Sequence, residues 1–204
     1  YKDQMFTQEL TFTPKEACGS VELTFTIPGK ALTGKTVVAF EQLEYKGVEV
    51  SVHKDINDKD QTVYYPQLKT SAKDSVSGTH QGYEDKMVTI IDTVEYTSLA
   101  PGKTYTVSGI LMDKASGEPY LAGGKQVAAE VTFTPDKSDG TLELTFTFSG
   151  TGLTGHTLVV FETLSYNDLE LAGHTEIDDQ GQTVDYPRIY LGTTATDLLT
   201  ETHQ

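Results

Sequence analysis

Apolar and polar residues alternate with a period of two in several segments of the chain. The clearest runs are VELTFTI (residues 21–27) and LELTFTF (142–148), in which an apolar residue alternates with Glu or Thr. This period is typical of a strand with one buried face. Turn signals such as Pro101-Gly102 and Gly123-Gly124 separate the runs at intervals that suit a β-sandwich. No segment has a convincing helical period, so the pattern predicts an all-β fold.

A long internal repeat organises the chain. Residues 9–66 align without a gap on residues 130–187, and 30 of the 58 positions are identical. The stretch LKTSAKD (68–74) is echoed by LGTTATD (191–197), so the repeating unit begins near residue 67. Self-similarity at a fixed period indicates tandem domains. We predict one complete sandwich repeat at 67–187, with the C-terminal half of a preceding repeat at 1–66 and the first strand of a following repeat at 188–204.

Composition narrows the classes of function. Lys and Arg number 15 against 30 Asp and Glu, and the net charge of −15 argues against nucleic acid and anionic membrane surfaces as partners. No apolar run approaches the length of a transmembrane helix. The single cysteine, Cys18, cannot form a disulfide within this chain. A secreted module without disulfides would need another source of stability, and a cytosolic protein is equally compatible with this cysteine count.

Two carboxyl residues occupy strand positions that the alternation places inside. Glu162 in TLVVFETLSY shares a face with Val160 and Leu164, and its counterpart in the first copy is Glu41. Asp92 in VTIIDTVEY also falls on the more apolar face. A buried carboxyl without a partner is costly and tends to keep its proton. The alternatives are an edge strand that exposes Glu162 and a bulge that turns Asp92 outward.

A polar motif with the spacing His-x4-Asp-x2-Gln precedes the last strand of each copy. It singles out two sets of residues: His53, Asp58 and Gln61 in the first copy, and His174, Asp179 and Gln182 in the second. Alternation in the following strand points Gln182 toward the core, although an ordinary polar loop would also explain the motif. The spacings of calcium loops, zinc sites and nucleotide-binding loops are absent. We predict neither a metal nor a cofactor.

As a set, three segments resemble the VaFE, or T-Q ester-bond, repeat domains of surface-anchored adhesins from Gram-positive bacteria. They are DTVEYTSLAPGKTYTVSGILMDKASGEPY, VVFETLSY and HTEIDDQGQTVDYP. The resemblance covers residues 67–187, the half repeat before them and the start of the repeat after them. It implies an immunoglobulin-like sandwich in which a Thr of the first strand forms an intramolecular ester with a Gln of the last strand, releasing ammonia.

The resemblance also implies a role for individual residues. The cross-link would join Thr70, in the Leu-Lys-Thr of the first strand, to Gln182. The supporting residues would be Asp92, Glu162, His174 and Asp179. The partial repeats hold the equivalent residues without an in-repeat partner: Glu41, His53, Asp58, Gln61 and Thr193.

The chemistry of an ester requires a base and an acid. A Thr hydroxyl is a poor nucleophile until a base takes its proton, and His174 is the natural candidate. A neutral Glu162, or Glu162 sharing a proton with Asp179, is expected to donate a hydrogen bond to the developing oxyanion of Gln182. The reaction occurs once per domain, so we expect an autocatalytic cross-link and no enzymatic turnover.

These expectations describe a structural stalk on an extracellular, cell-wall-anchored surface. Its partners would be neighbouring repeats, and a host ligand would bind only a tip domain outside this chain. The alternative is a ligand-binding adhesin module for a host glycan or matrix protein, with Tyr83, Tyr105 and Tyr120 as an aromatic platform. A Lys–Asn isopeptide is disfavoured because the only Asn residues, Asn57 and Asn167, do not align, whereas a Lys–Asp link stays open. A hydrolase is disfavoured because no loop is long enough to shape a substrate site.

Overall fold

The computed structural model describes residues 6–27 and 32–195, and the secondary structure of these residues is entirely β. The strands are β1 (Lys35–Val38), β2 (Glu41–Tyr45), β3 (Val48–His53), β4 (Thr62–Tyr65), β5 (Gln67–Asp74), β6 (Val88–Thr97), β7 (Tyr105–Asp113), β8 (Glu118–Pro119), β9 (Leu121–Ala122), β10 (Lys125–Gln126), β11 (Ala128–Phe133), β12 (Gly140–Phe148), β13 (Thr157–Tyr166), β14 (Leu169–His174) and β15 (Thr183–Asp185). The all-β prediction is confirmed. Within the described residues there is no helix with the length and apolarity needed to cross a membrane.

Except for β9 and β10, which form a separate two-stranded sheet, strands β5 to β15 build two antiparallel sheets around one core. The smaller sheet has the order β12-β6-β5. The larger sheet has the order β11-β7-β13-β14, with β15 paired to β13 and β8 paired to β7. Both sheets contribute to the apolar cluster, and its central members are at most 1% exposed: Ile90, Leu111, Leu144 and Val160. Burial of these faces is the main stabilising contribution to the repeat.

The first and last strands of the complete repeat are neighbours in space. The Ala72 amide of β5 donates to the Gly181 carbonyl at 2.8 Å, and a parallel bridge joins Gln81 to Asp185. Alternate residues of β5 face inward, which places the Thr70 side chain in the core. The edge of the smaller sheet therefore meets the segment that leads into β15.

The first copy reproduces the register of the second. The pairing of β1 with β4 corresponds to that of the start of β13 with β15. The pairing of β2 with β3 corresponds to that of the rest of β13 with β14. The strand equivalent to β13 is interrupted at residues 39–40. In the complete repeat, β7 pairs with β13 across the corresponding positions 160–161. No described residue in 6–66 takes the place of β7, so this support is missing.

The strand predicted at residues 21–27 is absent, and that prediction was wrong. The segment is irregular, and the exposed fractions of Val21, Leu23 and Phe25 are 49%, 38% and 43%. Its counterpart β12 pairs along its whole length with β6. The described part of residues 6–66 offers no strand in the place of β6, and period-two alternation cannot form a strand without a partner.

The C-terminal segment is also irregular. Residues 188–195 form no strand, and residues 196–204 lie outside the described part of the chain. Thr193 is exposed within this segment. The assignment of 188–204 to a following repeat stays a prediction, as do the other domain boundaries.

Candidate functional site

The structure brings six predicted residues together at one end of the core. They come from five elements: Thr70 from β5, Asp92 from β6, Glu162 from β13, His174 from the end of β14, and Asp179 and Gln182 from the turn before β15. Four of these side chains are nearly inaccessible, with exposed fractions of 7% or less: Thr70, Asp92, Glu162 and Gln182. The backbone register explains part of the meeting, since Glu162 lies directly opposite His174 across β13 and β14.

A hydrogen-bonded chain runs from the Thr70 hydroxyl to a carboxylate. Thr70 Oγ1 lies 2.5 Å from His174 Nδ1, and His174 Nε2 lies 2.9 Å from Asp179 Oδ2. Asp179 is itself held in place because its Oδ1 accepts from the Gly181 amide at 2.6 Å. With the imidazole proton on Nε2 donated to Asp179, the Nδ1 lone pair faces the hydroxyl. This arrangement orients His174 to take the Thr70 proton, as in a hydroxyl–imidazole–carboxylate triad.

Glu162 lies between the hydroxyl and the amide. Its Oε1 accepts from Gln182 Nε2 at 2.8 Å, and its Oε2 lies 3.4 Å from Thr70 Oγ1. Oε2 is also 3.9 Å from His174 Nδ1. One buried carboxyl thus contacts both groups that an ester would join.

Two details bear on the expected roles of Glu162. Glu162 contacts the amide nitrogen of Gln182, and Gln182 Oε1 is buried without a hydrogen bond, so the hydrogen bond predicted for the developing oxyanion is not seen in this ground state and stays a prediction. The expected proton sharing with Asp179 is also not supported. The carboxyl that interacts with Glu162 is Asp92, and Asp179 is bound to the far side of His174.

Burial controls the protonation of the Asp92–Glu162 pair. Neither oxygen of Asp92 has a hydrogen-bond partner. Its carboxyl nevertheless lies close enough to that of Glu162 for each to affect the pKa of the other. Burial raises the pKa of both carboxyls, and the adjacent Asp92 charge raises the pKa of Glu162 further. Contacts with Glu162 and with the Ser71 backbone partly offset the rise in the pKa of Asp92. The pair therefore keeps a proton over a wider pH range than two exposed carboxyls would.

The first copy forms half of the same site. His53 Nδ1 lies 3.6 Å from Glu41 Oε2, and His53 Nε2 lies 2.9 Å from Asp58 Oδ2. The backbone before the last strand also matches, since the Gln61 carbonyl accepts from the Ala39 amide at 3.0 Å. The His53 side chain is 49% exposed, against 18% for His174. In the described part of the chain no residue takes the place of Thr70 beside His53, so Gln61 lacks the nucleophile that Gln182 has.

The sequence did not single out a second buried polar pair beside the site. Tyr186 donates from its hydroxyl to Asp74 Oδ2 at 3.4 Å, and Asp74 Oδ1 accepts from the backbone amides of Val76 and Ser77. Burial, followed by the Asp74 charge, raises the pKa of Tyr186 above its ordinary range. A signal was present: Asp74 lies four residues after Thr70, and alternation puts both on the same face. The pair ties the first strand to the end of the last.

The aromatic platform suggested by the sequence does not exist. Tyr83 is 54% exposed, but Tyr105 and Tyr120 are only 5% and 8% exposed. Tyr105 packs against Phe133 and Tyr166, so its ring is part of the core. The predicted platform is wrong, because Tyr105 and Tyr120 point into the core and leave only Tyr83 at the surface.

The fold and the site together define an all-β domain in which a buried polar cluster connects the first strand to the last. The sequence profile of the family described as "T-Q ester bond containing domain" matches residues 2–65 and again residues 66–186. The two matches cover most of the chain, and the chain belongs to this family. No curated protein matches this chain.

Solved structures support the fold. The chain is similar to a bacterial adhesin from Mobiluncus mulieris that contains intramolecular disulfide, isopeptide and ester bond cross-links, with a TM-score of 0.52 and 18% identity. The match covers 61% of this chain and 58% of that one. A second crystal form of that adhesin gives a TM-score of 0.51 at the same identity and coverage. At this identity the similarity shows a common fold, and the chain spans little more than half the length of the adhesin structure.

Proposed function

We propose that the complete repeat cross-links itself through an ester between Thr70 Oγ1 and the Gln182 side-chain carbonyl carbon. The C–N bond of the Gln182 amide breaks, the C–O bond forms, and ammonia leaves with the proton that Thr70 gives up. The observation that carries the proposal is the contact of Glu162 with both reacting groups while His174 Nδ1 lies 2.5 Å from the hydroxyl.

Each buried group has a part in the proposed reaction. His174, oriented by Asp179, takes the hydroxyl proton as oxygen attacks the carbonyl carbon. The neutral Glu162, which contacts Nε2, gives its proton to the leaving nitrogen. Glu162 then regains a proton from His174, whose Nδ1 lies 3.9 Å from Oε2. Folding keeps nucleophile and amide in contact, which raises their effective molarity by many orders of magnitude.

We further propose that such repeats form a load-bearing part of an extracellular, cell-wall-anchored adhesin. Family membership, the second copy and the fold similarity to an adhesin support this role. Neighbouring repeats would be the main partners, and a host ligand would be bound by other domains of the protein. The alternative of a ligand-binding module relied on three Tyr residues at the surface, and two of them are buried, so the sequence no longer supports it.

Intact-mass measurement of the folded chain tests the ester directly. We expect a mass about 17 Da below the sequence mass, which is one ammonia, and a peptide map that joins the segments around Thr70 and Gln182. Gln61 is a matched internal control, because its half-site has the same His–carboxylate contacts without a Thr, and it should remain an amide.

Two variants complete this test. Gln182→Glu should have its full sequence mass, whereas Gln61→Glu should still show the loss of one ammonia. The full sequence mass in the folded wild type, or an ammonia loss that maps to other residues, would rule out the proposed link.

A further inference from the structure

The first copy ends in a face that contacts the complete repeat. Thr36 of β1 donates from Oγ1 to Ser98 Oγ at 3.4 Å. Tyr64 of β4 lies near Tyr105, whose pKa is raised by burial first and then by neighbouring hydroxyls that include Tyr64. The loop between β6 and β7 therefore covers this end of the first copy.

The covering loop is held rigidly by its own repeat. Ser98 has a left-handed backbone (φ 58°), and its amide donates to Asp139 Oδ1 at 2.9 Å. Leu99 is fully buried. The Ala100 amide donates to Tyr105 Oη at 3.0 Å. Because these bonds lie within the complete repeat, the loop presents the same surface whether or not another repeat touches it.

The complete repeat carries the same end face at its own C-terminal end. Offset by 121 residues, its members are Leu153, Gly155, Thr157, Asp185 and Arg188, and we call this set the end face. The turn is identical, since the His156 amide donates to the Leu153 carbonyl at 3.0 Å as the Lys35 amide does to Leu32 at 2.8 Å. Strand pairing also has the same register in both copies.

The chain also leaves both end faces in the same way. A side chain at Gly34 would collide with Gln67, and a side chain at Gly155 would collide with Arg188. Both glycines have positive φ, 69° and 93°. The residue after the Tyr-Pro pair thus packs on the equivalent glycine in each copy.

In the described part of the chain, the end face of the complete repeat borders an open cleft of about 990 Å³ lined also by Thr79 and His80. The apolar run that follows is exposed: Ile189 by 70%, Tyr190 by 84% and Leu191 by 90%. Within the end face Leu153 is buried, whereas Gly155, Asp185 and Arg188 are exposed. An exposed surface beside an exposed apolar run is typical of an interaction site.

We propose that the end face is the docking surface for a further repeat of the same kind, which would cover it with its own counterpart of the Ser98–Tyr105 loop. Asp185 replaces Tyr64 in this face, and Thr157 donates to Asp185 Oδ1 at 2.6 Å. The other carboxylate oxygen of Asp185 can accept a hydrogen bond from the counterpart of Ser98 in the following repeat. Successive repeats are then joined by a fixed contact instead of a flexible linker. This contact needs no ester, so it stands or fails independently of the proposed cross-link.

Disulfide trapping tests the contact in a longer chain, in which Tyr190 is followed by a second copy of residues 68–187. All variants carry Cys18→Ser. Thr157→Cys combined with Ser98→Cys of the second copy should form a disulfide on mild oxidation, detected by faster migration on a non-reducing gel. Thr36→Cys with Ser98→Cys in the 204-residue chain is the positive control. Thr151→Cys, in an exposed turn outside the end face, is the matched negative control.

Hydrogen exchange provides a measurement that needs no cysteine. In the longer chain, the amides of residues 153–157 and 185–188 should exchange several-fold more slowly than in the 204-residue chain, while residues 115–117 should be unchanged. Equal trapping of Thr157→Cys and Thr151→Cys, or no trapping and no change in exchange at the end face, would overturn the proposal.

Discussion

Replacing Thr70 by Val removes the hydroxyl and keeps the shape of the side chain, so this variant measures what the ester contributes to stability. We expect a folded domain with the full sequence mass, because the inward position in β5 accepts an isosteric apolar residue among its neighbours. Its free energy of unfolding should be well below that of the cross-linked wild type.

The magnitude follows from the length of chain that the ester closes. From Thr70 to Gln182 the loop contains 113 residues (182 − 70 + 1). In the chain-entropy treatment of a cross-link, a loop of this length lowers the entropy of the unfolded state by an amount worth about 4.8 kcal/mol at 25 °C. For a domain of this size, each kcal/mol changes the melting temperature by about 3–5 °C. Thr70→Val should therefore melt about 15–25 °C below the wild type.

Thermal unfolding followed by circular dichroism, with intact mass measured on the same samples, provides the assay. Thr70→Ser keeps the nucleophilic hydroxyl and should both cross-link and melt near the wild type. Thr141→Val, at an exposed position of β12, controls for the general effect of a Thr-to-Val change. If Thr70→Val lacks the ester yet melts within about 5 °C of the wild type, the ester does not stabilise the fold by restricting the unfolded chain, and the reasoning fails.

Two further predictions concern the buried acids and the base. Glu162→Gln and His174→Ala should each remain folded and lose ammonia about 10²- to 10⁴-fold more slowly, measured by intact mass over days, and a variant that cross-links at the wild-type rate would show that its residue has no part in the reaction. Because the folded pKa of Glu162 lies above its unfolded value, its contribution to stability is complete at acidic pH and is lost as pH rises through the raised pKa. In the unlinked Thr70→Val background the free energy of unfolding should therefore fall with rising pH above the ordinary carboxyl range. Adding Glu162→Gln should flatten that profile, and an equal slope in both proteins would contradict the assignment.

Local alternation was sufficient to predict which polar side chains enter the core. Glu162 lies in a strand whose inward neighbours are apolar, and it is fully buried as that pattern predicts. The same argument succeeds for Asp92 and for Gln182, which are 0% and 1% exposed. These predictions hold because the period of a strand is a local property of the backbone.

Pairings between distant residues were not predictable in this way. Asp92 and Glu162 lie on different sheets, so their proximity depends on how the sheets face each other. The sequence motif instead suggested Asp179 as the partner of Glu162, because both flank His174. The absence of the strand predicted at residues 21–27 has a related cause. Alternation shows that a segment has one apolar face, but a strand forms only where a neighbouring strand can hydrogen-bond to it.

The positions of Thr70 and Gln182 near the two ends of the repeat have a consequence for how a pulled chain lengthens. Only three residues precede Thr70 from the start of β5, and only five follow Gln182 up to Pro187. With the proposed ester in place, tension can draw out these eight residues, about 30 Å of extended chain, whereas an unlinked repeat of 121 residues would release about 400 Å. Because the remaining residues lie inside a closed covalent ring, a string of such units would behave as a tether of nearly constant length. Such a tether transmits a sudden load to its anchor point without absorbing it by unravelling.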